Sequence, residues 1–127
     1  MKGIAFAFFA TATLAVTIGM GWGIQMSASG DHSLSAAHAH LNLVGWTTMA
    51  FFGIYYALTP QAAGGILPKA HFTIALAGLA AMVPGIVMAV TGQGETLAKI
   101  GSVLTILSIL IFLATVLRHG FGTAKTS

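Results

Sequence analysis

The chain has 127 residues, 57% of them hydrophobic and only 6% charged, with a net charge of +3 and a mean hydropathy of +0.93. A soluble domain of this size has no means of hiding so much apolar surface from water, so the composition places the chain in lipid. With no cysteine it holds no disulfide, iron-sulfur cluster or thiolate metal site, and its few basic residues report orientation in a membrane rather than nucleic-acid binding.

Four apolar stretches, each near the roughly 20 residues that cross a bilayer, predict an all-α, four-helix transmembrane bundle that fills residues 1–127 as a single domain. The first helix is expected over about 4–26, by the same length criterion. Lys2 before it and Ser27-Ala28-Ser29 after it resemble a secretory signal, but the apolar run exceeds the roughly 7–15 residues of a signal core, so a retained helix is expected. Gly19, Gly21 and Gly23 near its end suggest close backbone approach. The second helix, over about 34–58, opens with Ser33 or Ser35 as a cap and ends at Thr59-Pro60. Gly64, Gly65 and Pro68 then mark a loop from Gln61 to Lys69, since these residues punctuate turns. The third helix is expected over about 70–91, with Pro84-Gly85 as a place where it can kink. The fourth, over about 97–118, is rich in Leu, Ile and Val and carries no obvious chemistry.

Four spans put both termini and the loop between the second and third helices on one side. That side collects Lys2, Lys69, Arg118 and Lys125 against Lys99 alone on the other, so it is expected to be cytoplasmic. The expected location is the inner membrane of a prokaryote, with His32, His38 and His40 toward the outer face. His71 and His119 fall at the cytoplasmic ends of the third and fourth helices.

A histidine inside a membrane helix needs a hydrogen bond or a metal, and is therefore a functional candidate. His38 and His40 stand two residues apart, a rotation of roughly 200° that sends them to nearly opposite sides of one helix. Such a pair cannot easily share a metal ion; it suits two sites flanking the helix, or, on the plainer reading, a helix-helix hydrogen bond for each ring or partial exposure at the membrane interface. Asn42 is placed to orient an imidazole or to bond across helices, whereas Trp46, Tyr55 and Tyr56 read as packing or interfacial aromatics. His71, beside Lys69, reads as an interfacial side chain, and His119, beside Arg118, as a cation at a helix C-terminus.

Asp31-His32, His38-Ala39-His40 and the later Gly45, followed by Lys69-Ala70-His71-Phe72-Thr73, Gly78 and Pro84, resemble the tenth and eleventh helices of the catalytic subunit of haem-copper oxidases. The resemblance spans about half the chain and implies that His38 and His40 ligate haem iron, with haem b as cofactor and Asn42, Trp46 and Lys99 in its surroundings. His32 would correspond to an outer metal site, although its spacing to His38 is about two residues shorter than the family's. The resemblance also implies a fold like one of that subunit's three arcs of four helices, and hence a homo-oligomer: a trimer, with a dimer next. His38 of one protomer would then face His40 of its neighbour across a haem.

The chain departs from the family where oxygen reduction is concerned. It has no adjacent histidine pair, no His-Pro-Glu run, and only Lys99 in place of the paired arginines that contact haem propionates. The expected activity is therefore electron transfer, with a redox protein or quinol as partner, or binding of a small gas such as NO or O2. Oxygen reduction by this chain alone is not expected. Two alternatives compete. One is a copper-binding membrane protein using His32, His38 and His40 with Met20, Met26 and Met88, since thioether and imidazole suit copper. The other is an accessory subunit of a respiratory complex, joined through its small-residue faces. Asp31 and Glu95 are the only acids, so no carboxylate pair supports a hydrolase or transferase.

Overall fold

The computed structural model describes residues 3–123; Lys2 and Lys125, which entered the orientation argument, lie outside the described residues. Helices α1 (Gly3–Ser29), α2 (Ser35–Leu58), α3 (Leu67–Val90) and α4 (Thr96–His119) are each long and apolar enough to cross a membrane. Among the described residues there is no strand. The protein is thus an all-helical membrane protein, as its composition requires.

The helices start and end within a few residues of the expected positions, and each shift has a local cause. Helix α3 begins at Leu67, with Pro68 inside its first turn, where a missing N–H costs nothing and the fixed φ suits a helix. Pro84 does not break that helix, in keeping with the tolerance of membrane helices for interior proline. Helix α1 continues through Ser27 to Ser29, and Ser29 Oγ donates to the Met26 carbonyl at 3.3 Å.

The helices pack as two antiparallel hairpins, α1 with α2 and α3 with α4, and α3 also lies against the first hairpin. Small residues set both seams. On α1 they are Ala5, Ala12, Ala15 and Gly19, all buried. Opposite them, a Cβ on Gly45 would stand 3.0 Å from the Ala15 Cβ, and one on Gly53 3.0 Å from the Ala5 carbonyl oxygen. In α3 and α4, Gly78, Gly85 and Gly101 bring backbone against backbone. Lipid offers little hydrophobic drive for helix association, so this close packing is what holds the hairpins together. Gly21 faces open space, unlike its neighbours Gly19 and Gly23, so only two of the three glycines expected at a close approach make one.

Helix α2 is not uniform. Its middle, Leu41–Thr48, winds as a π-helix between two α-helical ends. Side chains engage the carbonyls around this stretch: His40 Nδ1 lies 2.8 Å from the Ala36 oxygen, Asn42 Nδ2 3.0 Å from the His38 oxygen, and Thr48 Oγ1 2.7 Å from the Leu43 oxygen. These bonds compete with the ordinary ladder and favour the wider register.

Candidate functional site

Across the seam with α1, His38 Nε2 lies 2.9 Å from the Gly19 carbonyl oxygen. A carbonyl only accepts, so Nε2 carries the proton and donates. Asn42 Nδ2, 3.2 Å from that nitrogen, then gives its proton to the His38 carbonyl instead. Gly19 and Gly23 make room for this arrangement: a Cβ on Gly23 would stand 3.3 Å from His38 Nε2, and one on Gly19 3.1 Å from Asn42 Cγ. The Trp22 ring meets the His38 ring edge to face, with centroids 5.9 Å apart. His38 is therefore half-buried between two helices and pinned by its neighbours.

His40 is its inverse. Its side chain is exposed, and Nδ1 lies 2.8 Å from the Ala36 carbonyl of its own helix. The proton sits on Nδ1, so Nε2 holds an unshared lone pair directed away from that carbonyl. Helix α2 has 24 residues and is about 36 Å long, little more than the roughly 30 Å of a bilayer's hydrocarbon. His40 stands about 8 Å along the helix from its start on that rise. A bare nitrogen lone pair facing hydrocarbon is costly. Within hydrocarbon such a nitrogen needs a Lewis acid or a hydrogen-bond donor as cover; at the membrane interface water supplies it.

The other expected site residues are more ordinary. Trp46 is partly buried against the main core cluster. Lys99 is exposed on the first turn of α4 and pairs with Glu95 at 3.7 Å. His32 is exposed in the turn before α2, its Nδ1 3.3 Å from the Gly30 oxygen. Beside it, the Ser33 amide donates to Asp31 at 3.0 Å and holds that carboxyl below its usual range. Among the described residues no three His, Asp or Glu side chains gather as a metal cluster, so the outer metal site proposed for His32 lacks companions. Of the methionines weighed for copper, Met26 is buried while Met20 is exposed.

His71 departs from expectation. Rather than lying at the interface it is fully buried, on the face of α3 that meets rings from the other three helices. Its ring centroid lies 4.9, 4.4 and 5.7 Å from those of Phe8, Phe52 and Phe112. Its Nδ1 is 2.8 Å from the Tyr56 hydroxyl, and its Nε2 has no hydrogen-bond partner. Tyr56 is likewise buried, and Tyr55, also buried, donates to the Gly120 carbonyl at 2.6 Å, so both tyrosines pack, one of the two roles the sequence left open. The sequence held one signal for this centre: Phe52 and Tyr56 sit four residues apart, on one face of a helix. The Tyr56→Phe variant is expected to lose about 1–3 kcal/mol of stability by stranding His71 Nδ1, measured by denaturant unfolding in detergent.

Fold and site together define a small helical membrane protein that presents an exposed imidazole on its second helix. Comparison with known proteins adds no relative: no family model, no characterised protein and no solved structure matches the chain.

Proposed function

We propose that the protein is a membrane-bound b-type haem protein in which His40 provides an axial ligand through Nε2. The observation that carries this reading is the state of His40: a proton fixed on Nδ1 by a backbone carbonyl and a lone pair on Nε2 left facing outward near the start of the second helix. A backbone carbonyl behind an imidazole is the usual support of a metal-bound histidine, since it fixes the tautomer and raises the basicity of the other nitrogen. His40 offers one nitrogen donor of the kind haem iron takes, and the identity of the group comes from the sequence resemblance to haem-copper oxidases alone. His38, expected as the partner ligand, would have to release Gly19 before offering Nε2 to iron. In the present arrangement it holds α2 in register against α1, with Asn42 beside it.

Haem bound here supplies a one-electron couple when both axial positions are filled by imidazole, or a site for NO or O2 when one is open. The electron partner in this reading is a redox protein or a quinol. The site lies toward the outer face of a prokaryotic inner membrane, with Lys69 and Arg118 on the cytoplasmic side. The test is the visible spectrum, oxidised and reduced, of detergent-purified protein from haem-supplied cells, with haem quantified as the pyridine complex. A sharp reduced α band is the expected result. A colourless protein overturns the reading.

A further inference from the structure

We infer that the groove between the start of α1 and the α2–α3 loop binds one anionic phospholipid, with the phosphate on Lys69 and an acyl chain along the apolar walls. This site is separate from the haem reading and uses none of its residues. The groove has a volume of about 500 Å³. Ile4 and Ala7, neighbours on one face of α1, line one side of it; Ala63 and Ile66 from the loop line the other, and the exposed Lys69 completes it. Gly64 and Gly65 leave the entrance open, since a Cβ on either would meet nothing within 4 Å.

Charge complementarity selects the occupant. Lys69 in α3 and Lys99 in α4 both stand in the first turn of a helix, where the positive end of the helix dipole disfavours a cation. At α4 the chain supplies the remedy, because Glu95 pairs with Lys99 at 3.7 Å. At α3 it does not. The first turn there holds no acid, and the chain's only two acidic residues, Asp31 and Glu95, lie in the α1–α2 and α3–α4 loops at the opposite end of the bundle. No acidic side chain of this protein supplies the counter-charge of Lys69, so the pairing anion comes from the surrounding leaflet, whose phosphates attract basic residues at helix ends. Apolar residues face outward on all four helices; this groove differs from them in joining apolar walls to an unanswered cation. A shallower groove of about 300 Å³ beside Ile100 and Val103 also has a lysine, but that lysine is the paired Lys99. A free phosphate would use Lys69 and leave the walls bare, whereas a phospholipid uses both.

The test is native mass spectrometry of the detergent-purified protein, titrated with phosphatidylglycerol, phosphatidylcholine or inorganic phosphate. One phosphatidylglycerol per chain is expected, held at least about fivefold more tightly than phosphatidylcholine, the effect of one cation at an anionic lipid surface. Lys69→Gln should abolish that preference, while Lys99→Gln and Arg118→Gln keep it. Ala7→Leu fills the groove without touching the charge, and should weaken the binding of both lipids. Inorganic phosphate should not displace the lipid. Equal affinity for the two lipids, a preference that survives Lys69→Gln, an equal loss in Arg118→Gln, or binding unchanged in Ala7→Leu would each overturn the site. Displacement by phosphate would do the same, because it would show an ion held without its chain.

Discussion

Purified His40→Ala is expected to carry at least about tenfold less haem than the wild type, and His38→Ala to keep most of it. The bound comes from metal sites in general: loss of a partner behind a ligand already costs 10–100-fold in affinity, so loss of the ligand costs no less. His38→Ala should act on the fold instead. It removes the hydrogen bond to the Gly19 carbonyl and the contact with Trp22, an expected loss of about 1 kcal/mol. Haem content against total protein, together with an unfolding midpoint for each variant, separates the two roles. Haem retained in His40→Ala and lost in His38→Ala would reverse the assignment of ligand and positioning residue.

The opposed roles of these histidines were partly legible in the sequence, because a two-residue spacing on any helix turns side chains apart. Which of them faces a neighbour was not legible, since that depends on Gly19 and Gly23 opening the α1 surface to His38. The spans followed from length and apolarity alone, which is why four helices are where the composition puts them. Pro68 misled the reading at the third helix, because proline signals a loop as readily as a first helical turn. The π-helix from Leu41 to Thr48 left no pattern to find: it depends on side chains engaging carbonyls of their own helix. The burial of His71 was hidden for another reason. Rings from α1, α2 and α4 close around it, and a sequence does not say which distant positions converge.

The α3–α4 seam carries the second large expectation. Gly85→Ala should destabilise the protein by about 3 kcal/mol, the upper part of the usual cost of overpacking, whereas Gly21→Ala should stabilise it by about 0.5–1 kcal/mol. Both glycines lie inside helices, so intrinsic helix propensity favours alanine in each case by about 1 kcal/mol. What separates them is the neighbour. A Cβ on Gly85 would stand 2.7 Å from the Ala98 Cα and 2.8 Å from the Leu97 carbonyl carbon, while one on Gly21 meets nothing within 4 Å. The atoms opposing Gly85 are backbone, so no rotamer change relieves the clash and the helices must separate. Gly101 repeats the arrangement from the other side, its Cβ position 2.6 Å from the Met82 nitrogen, so separation at one glycine also opens the contact at the other. Unfolding of the two variants in a graded detergent-denaturant series measures the difference. Equal midpoints would mean that the seam is looser than this backbone contact requires.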